Sequence, residues 1–224
     1  MKDTDGSAKE GIVHKAIPHD SAHKHVSGAA KYVDDIAVPP NTLEILLGQS
    51  KFAHAKILSM DLSQVENFPG VIKVLTSADI PGTNDCSPFA GDDPIFAENV
   101  VSYLGQSVFA VVAEDIKTAR NAIELADIKY EELPAVITID QALETGNVLG
   151  PPAVIECGKV DQALAKSKNK LEGKIILGGQ EHFYLEGQAA FAVAGEDTDI
   201  VVHCSTQHPT AVSYTHLRAH ETAQ

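Results

Sequence analysis

Residues 107–132 read SVFAVVAEDIKTARNAIELADIKYEE, and this stretch decides the fold class. Ser107–Ala113 is a short apolar run, typical of a strand that is covered on both faces. Asp115 is a suitable N-cap for a helix over about 116–127, and Ile128–Glu132 has the pattern of a returning strand. The order strand, helix, strand predicts a small α/β unit whose two strands run parallel.

The helix in this stretch carries a narrow apolar stripe. Its apolar residues recur at i, i+3, i+4 and i+7, and they are Ala119, Ala122, Ile123 and Ala126. Residues with this spacing share one helix face, and alanines allow a close approach. The stripe therefore predicts close packing of the helix on a sheet.

Three strands are predicted upstream of this stretch. Thr42–Ser50 is β-branched and Leu-rich and is expected to be a buried strand. Ala55–Leu62 is expected to be a second strand and Val71–Thr76 a third. Because side chains alternate along a strand, alternate residues of the second strand should share one face. These residues are Lys56, Leu58, Met60 and Leu62.

The segments that connect the predicted strands have sequences typical of a helical turn and of a loop. Ser63–Asn67 is expected to form one helical turn capped by Ser63. Asp79–Glu98 contains three prolines and two glycines, which indicates a long surface loop. Together these elements predict a compact α/β domain over residues 27–135.

The flanking regions are predicted as an arm and a second domain. Residues 1–26 are polar and His-rich and are expected to be an extended arm. Residues 136–211 suggest the start of a second domain, with the C-terminal end of that domain missing. Its expected helices are Asp140–Glu144 and Asp161–Ala165, and its expected strands are Leu171–Leu177, Ala189–Ala194 and Ile200–Ser205.

The composition excludes several classes of function. The formal net charge is −14 and tryptophan is absent, which argues against binding to nucleic acid or to an anionic membrane. No apolar run is long enough for a signal sequence or a membrane span. The widely spaced Cys86, Cys157 and Cys204 indicate reduced thiols. A cytoplasmic location is therefore expected.

Common catalytic motifs such as GxSxG, HExxH and GxGxxG are absent. Two histidine groups have ligand-like residue types. In the arm they are His14, His19, His23 and His25, and near the C-terminus they are His216 and His220. For the arm, a solvated or interface-packed segment is the favoured interpretation, with a metal site as the alternative. No metal site is assigned to the C-terminal pair. The pairs Asp34-Asp35 and Glu131-Glu132 should lie on strands as solvated surface.

One segment is a candidate functional site. Residues 178–186, GGQEHFYLE, combine two glycines, hydrogen-bonding side chains and two aromatics. Paired glycines usually mark a turn or a close approach to the backbone, and crowded polar groups need partners if they are buried. A binding site and a structural turn remain alternatives on physical grounds alone.

The segment GGQEHFYLEGQAA resembles the signature of the xanthine dehydrogenase and aldehyde oxidase family of molybdenum hydroxylases. Further segments resemble this family and follow its order. They are residues 17–22 (IPHDSA), 25–28 (HVSG), 30–35 (AKYVDD), 52–58 (FAHAKIL), 68–71 (FPGV), 77–82 (SADIPG), 105–106 (GQ) and 205–209 (STQHP). The resemblance covers about residues 16 to 210. It implies that residues 27–135 form the family's α/β hammerhead domain, followed by the start of a molybdenum-cofactor-binding domain.

The resemblance also implies cofactors and partners. The cofactor would be molybdenum-molybdopterin, and the family's cofactor-binding glutamine maps onto Gln180, where it hydrogen-bonds an oxygen on molybdenum. No catalytic residue is implied within this chain, because the family's general base and substrate-binding Arg lie downstream. Iron–sulfur clusters and FAD are expected on a partner subunit or on other domains, and not in this chain. The opening Ile17–Ala22 favours the bacterial type, in which this subunit is a separate chain.

The C-terminal residues 212–224 depart from the family. Val212–Thr222 resembles a translated sequencing adapter, so residues 212–224 are expected to be a non-native tail and the chain a truncated subunit. Alone, the chain is expected to be inactive. In the complete enzyme the expected reaction is the oxidation of xanthine or hypoxanthine. The alternatives are an aldehyde oxidase-type hydroxylase and a non-catalytic hammerhead module that binds another subunit.

Overall fold

The computed structural model describes residues 15–87, 91–197 and 199–213. Its α-helices include α1 (Ala22–Ser27), α2 (Ser63–Glu66), α3 (Ile116–Ile123), α4 (Ile139–Thr145) and α5 (Val160–Lys166), and 3₁₀ helices span Val33–Asp35 and Ser77–Asp79. Its strands are β1 (Glu44–Gln49), β2 (Ala55–Asp61), β3 (Val71–Leu75), β4 (Val100–Val101), β5 (Ser107–Ala113), β6 (Asp127–Glu132), β7 (Ala190–Ala194) and β8 (Ile200–Cys204). This mixture of helices and strands confirms the predicted α/β (α+β) class.

The chain divides into two units. The larger unit comprises the described residues of Pro40–Phe183 and those from His208 onward. The smaller unit comprises the described residues up to Pro39 together with Tyr184–Gln207.

The larger unit contains two antiparallel sheets of three strands. In one, β5 lies between β1 and β3, and in the other, β2 lies between β4 and β6. The prediction that strands 107–113 and 128–132 are parallel partners is wrong, because β5 and β6 belong to different sheets. Each strand pairs with an earlier strand in antiparallel orientation, which needs no crossover. Helix α3 therefore connects two sheets.

Strand β5 is the centre of the core, as its unbroken apolar run predicts. Val108, Phe109, Ala110, Val111 and Ala113 are at most 2% exposed. Burying a valine or phenylalanine side chain contributes about 1.5–3 kcal/mol, so this strand supplies much of the driving force for folding.

Helix α3 packs on the sheet formed by β1, β5 and β3. Ala119 and Ala122 are fully buried, and Ile123 and Ala126 are half-buried against the same core. The predicted apolar stripe is therefore confirmed, although the helix ends at Ile123 and not near residue 127.

Strand β2 does not place alternate residues on one face as predicted. Its pairing with β6 shifts between Ile57 and Ser59, which marks a bulge. Leu58 is 61% exposed, whereas Met60 is half-buried and Leu62 is buried. A bulge inserts one residue and reverses the alternation beyond it, so Lys56 and Leu58 face away from the core and Met60 does not.

The expectation of a buried first strand is also wrong. Among the described strands, β1 pairs with β5 alone, at the edge of its sheet. Ile45 and Leu47 are exposed, while Leu46 is half-buried and Gly48 is buried. An edge strand packed on one face buries only alternate side chains.

At the starts of α3 and α2, an aspartate side chain accepts a backbone N–H group. The Asp115 carboxylate accepts the backbone N–H of Thr118 at 2.8 Å and its hydroxyl at 2.9 Å, which confirms the predicted N-cap. The predicted Ser63 cap of α2 is wrong, because Ser63 is the first helical residue. Its own N–H donates to Asp61 Oδ1 at 3.0 Å.

The region from 79 to 98 is largely irregular where it is described, as expected, but it does not lie wholly at the surface, because Phe96 and Ala97 are buried. The Asn84 side chain donates to the Phe96 carbonyl at 2.8 Å and accepts the Phe96 N–H at 3.0 Å. Buried Gln106 accepts the Ser102 N–H at 2.7 Å. These bonds supply partners for backbone groups that no strand satisfies.

Helices α4 and α5 confirm the two helices predicted beyond residue 135. The predicted strand at Leu171–Leu177 is wrong, since these residues are irregular. Leu171 and Ile175–Leu177 are each more than 80% exposed, and no described strand pairs with them. A strand-like sequence forms a strand only when a neighbour satisfies its backbone groups.

The smaller unit contains α1, the 3₁₀ helix Val33–Asp35 and the antiparallel pair β7–β8. The two strands confirm the predictions at 189–194 and 200–205. The arm predicted over residues 1–26 is not extended at Ala22–Ser27, which forms α1 and ends at Gly28 with φ 73°. Residues 1–14 lie outside the described residues.

Gly48 provides a test of the packing around β5. A Cβ atom at Gly48 would overlap the ring of Phe109. We expect Gly48→Ala to lower the free energy of unfolding by about 1–3 kcal/mol, because the core would be overpacked. The free energy of unfolding is measured by urea denaturation. Unfolding is monitored by circular dichroism, because the chain has no tryptophan whose fluorescence could report it.

The matched control is Gly150→Ala, because no atom lies within 4 Å of a Cβ at Gly150. We expect this variant to change stability little, or to raise it by up to about 1 kcal/mol. Equal effects of the two substitutions would contradict the packing described here.

Asp115 provides a test of the helix cap. The backbone N–H of Thr118, followed by its hydroxyl, lowers the pKa of the Asp115 carboxyl below its ordinary value. A lowered folded-state pKa stabilises the fold above the unfolded-state pKa, and this contribution is lost as the pH falls through the folded-state pKa. We therefore expect Asp115→Ala to lower the melting temperature at pH 7 and to matter less below roughly pH 4.

Asp115→Asn should keep most of the cap without this pH dependence, since asparagine is also a good N-cap. Glu114→Ala removes the neighbouring exposed carboxylate as a control. If the melting difference between wild type and Asp115→Ala were the same at every pH, the charged cap would be refuted.

Candidate cofactor-binding segment

Residues 178–186, called here the signature segment, lie at the surface. Gln180 is exposed, in an irregular stretch of the larger unit. No atom lies within 4 Å of the positions that Cβ atoms would occupy at Gly178 and Gly179. The backbone before Gln180 can therefore be approached closely by a bulky group without displacing packed atoms.

The centre of the signature segment has an unusual backbone conformation. Phe183 has φ 54°, a left-handed conformation that is rare for residues other than glycine. Its N–H donates to Glu181 Oε1 at 3.2 Å. The Phe183 side chain is 90% exposed, so packing does not impose this conformation. Local strain of this kind is found often at functional sites.

The downstream end of the signature segment is anchored within the smaller unit. Glu186 Oε1 accepts the backbone N–H of Val33 at 2.8 Å. Ser205 Oγ donates to the Gly187 carbonyl at 2.8 Å and accepts the Ala189 N–H at 3.0 Å. These contacts were not predicted from the sequence, although all of the participating residues lie in segments that resemble the family.

The histidines of the arm do not form a metal centre in the described structure. His19 Nδ1 accepts the backbone N–H of Ser21 at 3.1 Å, and the His25 ring lies 6.4 Å from that of Tyr32. Within residues 15–87, 91–197 and 199–213, no group of three or more His, Cys, Asp or Glu side chains could hold a metal ion. His14, His216 and His220 lie outside the described residues.

The adjacent carboxylates are exposed surface groups. Glu131 pairs with Lys56 at 3.3 Å, and both side chains are about half exposed. Asp34 and Asp35 are exposed too, but they lie in a 3₁₀ helix and not on a strand as predicted.

The three cysteines are free thiols. Burial, followed by the charge of Asp93, raises the pKa of the Cys86 thiol, so this thiol is not activated as a nucleophile.

The larger unit also has a surface cleft. Phe52, Phe109 and Tyr130 contribute to its lining. Its charged groups, Lys51 and Glu124, pair with each other at 3.7 Å and are largely exposed. A ligand site usually has convergent polar groups in an apolar pocket, and this cleft does not.

Two consecutive families match the chain. Residues 27–134 match "Aldehyde oxidase and xanthine dehydrogenase, a/b hammerhead domain", and residues 143–222 match "Molybdopterin cofactor-binding domain". The two matches together place the chain in the molybdenum hydroxylase family, and the signature segment lies in the second. The chain belongs to the xanthine dehydrogenase and aldehyde oxidase family.

Individual relatives agree with this assignment. Xanthine dehydrogenase/oxidase from Mus musculus is 39% identical over 91% of this chain and 15% of its own length. Aldehyde oxidase 2 from Macaca fascicularis is 40% identical over 91% of this chain and 15% of its own length. The chain thus spans about 15% of the length of these relatives.

The fold is also similar to that of a solved structure from this family. The structure of aldehyde oxidoreductase from Desulfovibrio gigas superposes with a TM-score of 0.70 and 28% identity. The match covers 84% of this chain and 23% of that protein. Members of the family are oxidoreductases. Within the described parts of the chain, no helix reaches the length and apolarity that a membrane crossing requires.

The exposed stretch before the signature segment should be cleaved by proteases more readily than the paired strands. Lys168, Lys170 and Lys174 lie in irregular, exposed chain, whereas Lys56 and Lys129 are exposed on paired strands. Proteases cut backbone that is not held by hydrogen bonds. We expect brief treatment with trypsin to cleave within 168–174 before it cleaves at Lys56 or Lys129, as identified by mass spectrometry. Earlier cleavage at Lys56 or Lys129 would contradict this order.

Proposed function

We propose that this chain forms part of the molybdenum-cofactor subunit of an enzyme that hydroxylates xanthine or hypoxanthine. The match to a molybdopterin cofactor-binding domain and the relatives named xanthine dehydrogenase/oxidase support this proposal. The observation that carries it is the exposed Gln180 amide within that domain, beside two glycines with an uncovered backbone.

Gln180 is the proposed contact with the cofactor. Its side-chain NH₂ group can donate two hydrogen bonds. We propose that it donates to the ligand sphere of a molybdopterin-bound molybdenum and thereby holds that centre in one orientation. When bound, this centre supplies the oxidation of an electron-poor carbon of the substrate.

The residues present fit such a group as one part of its site. The amide of Gln180 is accessible, and Gly178 and Gly179 leave room for a bulky neighbour. An amide orients a ligand sphere by hydrogen bonding and is a weak direct ligand for a metal. The remaining polar groups that a pterin requires, together with the general base, would come from the rest of a full-length subunit.

The proposed assembly includes a partner subunit that carries iron–sulfur clusters and FAD. Electrons from the substrate would leave through these groups. We propose that the present chain, by itself, binds no molybdenum and oxidises neither hypoxanthine nor an aldehyde, because a chain that spans about 15% of its relatives' length supplies few convergent polar groups.

An aldehyde is the alternative substrate. The relative named aldehyde oxidase 2 is as similar to this chain as the relative named xanthine dehydrogenase/oxidase. The matched solved structure is named an aldehyde oxidoreductase. Assays with both hypoxanthine and an aromatic aldehyde distinguish the two proposals.

Gln180→Ala in a full-length subunit tests the proposed role. We expect unchanged melting and a fall in turnover of roughly ten- to a thousandfold, by analogy with the loss of one preorganised donor. Gln188→Ala is the matched control, since it removes another exposed glutamine amide from the same region. Melting temperature, molybdenum content and turnover are measured on the same preparations.

The opposite pattern would support a structural role for Gln180. A structural hydrogen bond predicts a loss of about 1–3 kcal/mol in stability with turnover per folded molecule nearly intact. Full loading with molybdenum and unimpaired turnover in Gln180→Ala would refute the contact with the cofactor.

A further inference from the structure

The carboxylate of Glu186 is held by a distant part of the chain. Glu186 Oε1 accepts the N–H of Val33 at 2.8 Å across 153 residues of sequence. Residues 178–185 are exposed, whereas Glu186 is half-buried. Glu186 is therefore the first residue of the signature segment that is partly buried.

The group that donates to Glu186 is itself well ordered. Val33 begins a 3₁₀ helix in which the Tyr32 N–H donates to Asp35 Oδ2 at 2.9 Å. The Asp35 N–H donates to the Tyr32 carbonyl at 3.1 Å. Because the first N–H groups of a helix have no partner within it, the Val33 donor is available to Glu186.

The residues that follow Glu186 are held by Ser205. Ser205 binds the backbone at Gly187 and Ala189, and its N–H donates to the Ala189 carbonyl at 3.1 Å. Residues 186–189 thus make hydrogen bonds both to the 3₁₀ helix and to the end of β8. A hydrogen bond to a charged carboxylate is stronger than one between neutral groups.

We propose that Glu186 is a positioning residue for the cofactor contact made by Gln180. By fixing the downstream end of the signature segment, the bond to Val33 limits the conformations open to Gln180, six residues upstream. This inference rests on the proposed function, because it requires that Gln180 contacts a cofactor.

The first experiment uses the 224-residue chain and needs no cofactor. Amide hydrogen exchange of Val33 is measured by NMR in wild type, Glu186→Ala, Glu186→Gln and Asp34→Ala. We expect protection of the Val33 amide to fall about tenfold or more in Glu186→Ala, as expected for a lost bond to a charged group. Glu186→Gln should retain most of it, since its carbonyl oxygen still accepts. Asp34→Ala, which removes a neighbouring exposed carboxylate, should match wild type.

A second variant removes the same bond from the donor side. Val33→Pro eliminates the N–H and leaves Glu186 intact, and proline is tolerated at the first position of a helix. Tyr32 has φ −98° and ψ 172°, a conformation compatible with a following proline. Val33→Ala controls for the lost side chain. If Glu186→Ala does not fold, Val33→Pro carries the test.

The second experiment measures turnover per molybdenum in the full-length subunit. We expect about a tenfold loss in Glu186→Ala and in Val33→Pro, no further loss in the double variant, and near-normal values in Glu186→Gln, Val33→Ala and Asp34→Ala. Unchanged Val33 protection in Glu186→Ala would overturn the proposal at its first step.

The remaining outcomes separate this inference from the proposed function. Lost protection with unchanged turnover per molybdenum would overturn the positioning role, while a deficit in Gln180→Ala would leave the proposed function standing. A wild-type subunit without molybdenum would overturn the proposed function and the positioning role together. In that case the exchange of Val33 would still report whether the bond exists.

Discussion

Strand β5 is the constraint on which the larger unit depends. It pairs with β1 on one side and β3 on the other, and helix α3 packs on the sheet that the three strands form. Its side chains are almost completely removed from water, and the absence of a side chain at Gly48 makes room for the Phe109 ring. A strand buried in this way tolerates few changes of volume, because cores are close-packed.

The local signals in the sequence predicted much of this arrangement. The apolar run of β5, the cap at Asp115 and the stripe on α3 each depend on neighbours in sequence, and each was confirmed. The pairing of strands depends on residues far apart, and it was predicted wrongly. A strand–helix–strand order fits a parallel unit and an antiparallel two-sheet unit equally well, since the choice rests on where β1, β2 and β3 dock.

Single residues also show the difference between local signals and contacts that form only in the fold. The bulge in β2 leaves no mark in the alternation of Lys56, Leu58 and Met60, because it follows from pairing with β6. The run Leu171–Leu177 has strand-like residues but no described strand beside it. For the candidate site, composition drew attention to the signature segment, and the family resemblance supplied the role of Gln180. The anchoring of Glu186 by Val33 could not be predicted, because the two residues are related only by the fold.

The pairing of β1 with β5 has a consequence for synthesis of the chain. The partners in this ladder are roughly sixty residues apart in sequence. At about 5–20 residues per second, a ribosome needs on the order of 3–12 seconds to make the intervening chain. During that interval Ile45 and Leu47 form part of a nascent edge with unsatisfied backbone groups. Such non-local pairing slows folding and favours contact with chaperones, so the folding of this unit is tied to the completion of β5.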